Sequence, residues 1–217
     1  MNMTDTIRHH LTPELMMAYS AGTLPEAFAL VVATHVSMCD TCRAELDSFD
    51  AVGGCIVEQG ETAELSADSL QATLALIAQG NGTPEAPRIS DGTLPSPLQD
   101  YVGGDLSAIK WRPIGMGVKQ AILPTSKDAT ARLLYIPAGC AVPDHGHNGT
   151  ELTLVLQGAF SDDEDRFARG DVEVANEDLE HTPIADVGMD CICLAATDAP
   201  LKFNALIPRL AQRFLRI

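Results

Sequence analysis

Two hydrophobic periods divide the chain. From residue 12 to about residue 80, apolar side chains recur at helical spacing, and beyond residue 110 they alternate in short runs. Thr12-Pro13-Glu14 reads as a helix start, with a capping hydroxyl, a proline in the first turn and an acid near the positive end of the dipole. Leu15, Met16 and Tyr19 form its apolar face, and Gly22 closes it. Thr23-Leu24-Pro25-Glu26 has capping-box spacing and opens a second helix that runs through Phe28, Leu30, Val31 and Val32 toward His35. Asp40 begins a third, whose stripe of Leu46, Phe49 and Val52 precedes Gly53-Gly54. A fourth starts at Ser66-Ala67-Asp68-Ser69, carries Leu70, Leu74 and Ile77 at i, i+4 and i+7, and ends at Gly80-Asn81-Gly82. This last stripe either packs on the other helices or is offered to a partner.

Residues 81–97 hold four prolines, two glycines and little periodicity, which marks a linker. After it come runs at 111–114, 118–123, 131–136, 152–156, 172–175 and 191–195, separated by Gly and Pro. Short strands at near-regular spacing predict a β-sandwich or barrel. The expected organisation is two domains, α followed by β: a small all-α unit over residues 1–80, the linker, and an antiparallel barrel over 98–217 with a C-terminal tail. The tail around Pro208, Arg209, Arg213 and Arg216 reads as a short amphipathic element packed on the rest.

Composition narrows the function. The 217 residues are 46% hydrophobic, enough for a core, and carry a formal charge of -16. Such a chain repels nucleic acid and acidic membranes, so neither is expected as a direct partner. Residues 1–80 hold 11 acidic against 2 basic side chains, net -9, and the remainder is net -7. The front is the more acidic per residue and suits a basic protein partner. The start lacks an apolar signal core and no run of about 18 apolar residues occurs, so a cytoplasmic location with reduced thiols is expected.

In that setting clustered cysteines more often bind metal. His35-Val-Ser-Met-Cys39-Asp-Thr-Cys42 places a histidine four and seven residues before two cysteines. If the stretch is helical, all three side chains share one face. Imidazole and thiolate suit zinc, which needs a fourth ligand, and His9 or His10 can supply it. The alternative is a buried histidine beside two cysteines that pack as small hydrophobes. An eighty-residue helical unit is of the size class that needs a metal staple.

A second constellation lies in the strand region. Gly139 to Gly158 follows the pattern G-x5-H-x-H-x3-E-x6-G through His145, His147 and Glu151. On a strand the two histidines share a face, Glu151 returns to it by parity, and a distant His181 joins them only if the sheet closes into a barrel. This pattern resembles the first motif of the cupins at every signature position. The second motif is partial: Gly170 and His181 are in place, while Asn176, Asp178 and Ala185 replace its Pro, Gly and Asn. Three histidines and a glutamate suit zinc or another divalent transition metal.

The two halves together resemble the ChrR-type anti-sigma factors, a zinc-binding anti-sigma domain followed by a cupin-like (jelly-roll) domain. The resemblance rests on Ile7-Arg-His-His10, Glu26 to His35, Cys39 and Cys42, the cupin stretch, and Asp190 to Pro200. It implies that His10, His35, Cys39 and Cys42 hold zinc, and that the helical domain clamps an extracytoplasmic-function sigma factor. It further implies release through the cupin-like domain on a singlet-oxygen or related oxidant signal. Insertion of Leu70, Leu74 and Ile77 between sigma-factor domains is the expected mode of binding. Homo-oligomerisation through the cupin-like domain is a further expectation.

Cys191 and Cys193 share a strand face and are either redox targets near the metal or core packing. Cys55 and Cys140 have no evident partner. The competing functions are a metal-dependent cupin dioxygenase or isomerase, against which no acid/base pair beyond the ligands is evident, and a small-molecule-sensing barrel.

Overall fold

Four helices precede the linker. The computed structural model describes residues 6–80 and 92–203, so the C-terminal tail and most of the linker lie outside the described residues. Helix α1 (Pro13–Ser20) starts at Thr12, whose hydroxyl accepts the Leu15 amide as expected, and Gly22 follows its end in the left-handed region. Helix α2 (Glu26–Val36) is capped by Pro25 without a side-chain bond, so Thr23 does not form the anticipated capping box. Its hydroxyl instead bonds back to the Ala18 carbonyl.

Helix α3 (Asp40–Glu58) runs straight through Gly53-Gly54, which stood as a stop in the sequence. Nothing lies within 4 Å of where a Cβ would sit on either glycine, so the pair relieves no crowding and the helix continues into solvent. Val52 is exposed and the buried part of α3 is confined to Cys42 and Leu46. Helix α4 (Ser69–Ala78) buries no residue.

Residues 92–95 are drawn into the second half: Asp105 accepts the amides of Thr93 and Leu94, and Leu94 is 1% exposed. Helix α5 (Ser96–Val102), unforeseen in a Pro-rich stretch, uses its prolines at the first turn and ends on Gly103 in the left-handed region. A short 3-10 turn (Leu106–Ala108) leads to the strands.

Among the described residues twelve strands follow: β1 (Arg112–Gly115), β2 (Val118–Ile122), β3 (Thr130–Ile136), β4 (His145–Gly146), β5 (Glu151–Gln157), β6 (Ala159–Ser161), β7 (Arg166–Ala168), β8 (Val172–Ala175), β9 (Glu180–His181), β10 (Ile184–Ala185), β11 (Cys191–Thr197) and β12 (Lys202–Phe203). All pairings are antiparallel. One sheet has the order β1-β2-β3-β11-β5-β8, and the sheets β10-β6-β7 and β12-β4-β9 complete the wall, giving the jelly-roll barrel that the alternation predicted. The runs predicted at 111–114, 118–123, 131–136, 152–156, 172–175 and 191–195 match β1, β2, β3, β5, β8 and β11 within two residues. The remaining strands, two or three residues long, are too short for any period to show.

Every residue of β11 is buried. The cause is that the six-stranded sheet is covered on both faces. Cys193, Ala195 and Thr197 line the barrel cavity, while Leu194 and Ala196 join a cluster with Val31, Val32 and Leu30 of α2. One hydrophobic core therefore spans the helices and the outer face of the sheet, and Glu26 at the start of α2 adds hydrogen bonds from Tyr101 in α5 and the Ser126 amide.

Leu30→Ala removes a buried side chain from this joint cluster and is expected to cost about 2–5 kcal/mol. Denaturant unfolding followed by the fluorescence of Trp111, the single tryptophan, which packs on the same cluster, checks it. The midpoint at this barrel-side probe is expected to fall, whereas independent halves would leave it in place.

Candidate metal centres

The first centre is built at a helix-helix turn. His35 ends α2, Ser37 and Met38 turn the chain, and Cys39 caps α3 in an extended conformation while its Sγ accepts the Cys42 amide at 3.5 Å. The stretch is thus not the single helix whose face was expected to carry all three side chains. A turn between two helices brings them together instead, and it places both sulfurs at the start of α3.

His10 comes from the N-terminal arm. Its Nδ1 lies 3.3 Å from Cys39 Sγ and 3.5 Å from Cys42 Sγ. One donor atom from each of His10, His35, Cys39 and Cys42 falls within 4.8 Å of the others. His9 points elsewhere, to Asp165 and Asp171, so of the two arm histidines it is His10 that meets the turn.

Two observations test whether a metal fits. His35 is fully buried, its Nδ1 faces the Gly170 carbonyl at 2.9 Å, and its Nε2 is buried with no hydrogen-bond partner. Burial also pushes the Cys42 thiol up to about 11, so a thiolate there needs a nearby cation. An orphaned imidazole nitrogen and two buried sulfurs are the donors a tetrahedral soft cation satisfies.

The second centre lies at the barrel cavity, of about 280 Å³, whose lining includes His145, His181, Glu151, Glu173 and Cys193. His145, His147 and His181 form a buried group with donor atoms within 4.8 Å. His145 and His181 face each other across the β4-β9 pairing, and the Nε2 atoms of His147 and His181 are 3.4 Å apart. Glu151 falls outside that group. Its Oε2 is 3.9 Å from His147 Nδ1, and its Oε1 accepts from Thr153 at 3.1 Å.

The parity argument for Glu151 fails. The chain turns after His147, so Glu151 stands on β5 in the six-stranded sheet, a different sheet from that of β4. Burial pushes its carboxyl up to about 7, which leaves it poised for a cation's charge. His147 Nδ1, buried and without a hydrogen-bond partner, is the other open donor.

Sequence reasoning missed Asp162 and Glu173. Both meet His181 Nδ1, at 3.0 and 3.1 Å, and fix the ring so that Nε2 turns to the other histidines. Burial pulls His181 down, but these two carboxylates outweigh it and raise it to about 9. No local motif carries them, since Asp162 follows β6 and Glu173 lies on β8.

Cys191 and Cys193 share a face as expected, with sulfurs 3.5 Å apart, both buried. Cys193 lines the cavity, and its hydrogen bond with the Cys191 thiol together with burial drives its own thiol well up, so it stands as thiol. Cys55 is exposed, and Cys140 donates to the Met116 carbonyl. Leu70, Leu74 and Ile77 of α4 are exposed and far from either centre in kind, being purely apolar.

A helical unit with a His/Cys cluster, packed on a cupin-type jelly roll with a histidine cluster, is the class that the fold and sites define. The chain matches the ChrR cupin-like domain over residues 99–199. It is 57% identical to the anti-sigma-E factor ChrR of Cereibacter sphaeroides over 98% of this chain and all of that protein. The crystal structure of Rhodobacter sphaeroides SigE in complex with the anti-sigma ChrR matches with a TM-score of 0.77 and 56% identity, over 89% of this chain and 100% of that one. The chain therefore belongs to the ChrR family of anti-sigma factors.

In the metal-free chain, burial holds His35, His145 and His147 down at about 4. Their folded values lie below the unfolded one, so the stability they contribute is present above about pH 6.5 and is lost as the pH falls toward 4. His181, raised to about 9, and Glu151, raised to about 7, act oppositely, losing their contribution as the pH rises through those values. Glu173, also raised by burial, joins them, but most of the His181 loss falls above pH 7, so between pH 5 and 7 three imidazoles gain against two carboxyls. Denaturant unfolding in excess chelator is expected to show lower stability at pH 5 than at pH 7, and NMR titration should find His181 still charged at pH 8.

Proposed function

We propose that this protein sequesters an extracytoplasmic-function sigma factor through its helical unit, residues 1–80, and that the barrel of residues 98–217 carries the signal for release. The observation that carries the reading is an uncovered apolar surface. Of the fifteen large hydrophobic side chains exposed among the described residues, eight lie between residues 52 and 77, including Val52, Ile56 and Val57 of α3 and Leu70, Leu74 and Ile77 of α4. A patch of that kind marks a protein interface. An isolated ten-residue helix is also marginal in water, so α4 has reason to persist only where it docks.

The partner's chemistry follows from charge. The unit presents net -9 around its apolar stripe, so it suits a basic, partly apolar surface such as a sigma factor turns toward polymerase and promoter. The relative whose structure matches is bound to the sigma factor SigE, and the same type of partner is assigned here. The unit would block the sigma factor's access to RNA polymerase by occlusion, with α4 inserted between sigma-factor domains. Among the described residues no helix is long and apolar enough to cross a membrane, and a cytoplasmic site of action is part of this reading.

Zinc is assigned to His10, His35, Cys39 and Cys42, where it would staple the N-terminal arm to the α2-α3 turn. Zinc or another divalent transition metal is assigned to His145, His147, Glu151 and His181, with the oxygen and nitrogen donors such ions take. The bound ion there would keep the cavity polar at one end and apolar elsewhere. In the chain itself, Asp162 and Glu173 orient His181, while Cys191 and Cys193, with sulfurs 3.5 Å apart, are the groups an oxidant such as singlet oxygen would alter on the way to release.

Leu74 is half exposed, so Leu74→Asp should leave folding within about 0.5 kcal/mol of the parent. Its affinity for the cognate sigma factor, measured by titration of the purified full chain, is expected to fall at least about tenfold, the scale of a lost interface anchor. Undiminished binding removes the α4 insertion; undiminished binding after Cys39→Ser removes the need for the metal staple.

A further inference from the structure

The N-terminal arm packs on the helices through Leu11 and is also held by the barrel. Asp171, 2% exposed in the barrel, accepts the backbone amides of Arg8 at 2.7 Å and His9 at 2.9 Å on one oxygen. Its other oxygen accepts the Ala168 amide at 2.8 Å. The Val172 amide in turn donates to the His9 carbonyl at 3.1 Å. Residues 8 and 9 are thereby fixed against residues 171 and 172, and His10 is the next residue along.

The same turn reaches the second histidine of the cluster. The Gly170 carbonyl can only accept, so its 2.9 Å contact puts the proton of His35 on Nδ1 and leaves the Nε2 lone pair for the cluster. Gly170 adopts φ +94, and a Cβ there would stand 2.6 Å from the Ile7 side chain. A side chain at this position would be strained and would push the arm away.

We propose that the turn between β7 and β8 is the outer shell of the N-terminal metal centre: Asp171 is a positioning residue for His10, and the Gly170 carbonyl sets the tautomer of His35. The barrel thus supplies the second layer of a site whose ligands all lie in the helical unit. This inference rests on the reading of His10, His35, Cys39 and Cys42 as metal ligands. Groups in this relation to a ligand hold it in the geometry the ion needs, and their loss costs about 10- to 100-fold in metal affinity.

Cobalt(II) titration of the full chain, in competition with a chelator, tests it, because thiolate-to-cobalt charge-transfer absorption reports the cluster apart from the barrel histidines. The Cys39→Ser variant identifies which absorption belongs to the cluster. Asp171→Asn keeps the size but turns one acceptor into a donor, and it is expected to weaken cobalt binding at this site by about 10- to 100-fold. Trp111 fluorescence should stay unchanged. Because Asp171→Asn acts within the barrel, Ile7→Ala is a second variant that loosens the arm and leaves the barrel sequence intact; a loss of about tenfold is expected. Asp165→Asn, which removes only the exposed contacts to Arg8 and His9, should stay within about fivefold.

Unchanged cobalt affinity in both Asp171→Asn and Ile7→Ala overturns the inference and leaves the metal reading standing. An equal loss in Asp165→Asn reassigns the effect to charge around His9 and overturns it as well. Absence of any thiolate absorption in the unsubstituted chain overturns the metal reading and this inference with it.

Discussion

The meeting of His10, His35, Cys39 and Cys42 is the constraint on which the front half of the molecule depends. Helices α1 to α3 enclose few fully buried side chains of their own, and α3 leaves the core after Phe49. A unit of this size does not hold a unique arrangement on hydrophobic burial alone. An ion held, as proposed, by four donors from an arm, a helix end and a helix start would fix the entry of the chain, the α2-α3 turn and the direction in which α3 projects. That direction carries the apolar face of α3, and the connection to α4, into solvent.

The rest of the architecture supports the cluster from behind. The six-stranded sheet is apolar on its outer face because α2 lies there, and partly polar on its inner face because the cavity lies there. That explains why β5 and β11 read as continuous apolar runs with Glu151, Thr153 and the two cysteines interspersed. Strand β8 connects the two centres. At its start Gly170 and Asp171 touch the arm and His35, and two residues on Glu173 touches His181. A displacement of this short segment would reach both centres.

Much of this was legible in the sequence, for reasons particular to each element. The H-x3-C-x2-C spacing and the complete first cupin motif announced both clusters, because ligands close in sequence keep their spacing whatever the fold does around them. The local geometry was less legible. The histidine-to-cysteine offset fits a helix face as well as a helix-turn-helix, and the alternation from His147 to Glu151 gave no sign of the turn that sends them to different sheets. Gly53-Gly54 carried a stop signal that the solvent-exposed helix ignores, and α5 hid in a proline-rich stretch because its prolines sit in a first turn where no amide is needed. Asp162, Asp171 and Glu173 could not be found at all from spacing, since only closure of the barrel and docking of the arm bring them to His181 and His9.

Zinc-edge X-ray absorption on the full chain tests the central claim most directly, namely that a metal ion joins the arm to the α2-α3 turn. The account predicts a sulfur shell at about 2.3 Å beside nitrogen at about 2.0 Å, and loss of that sulfur shell when Cys39 and Cys42 are both replaced by Ser. A spectrum of nitrogen and oxygen scatterers alone, with zinc supplied throughout preparation, would contradict it.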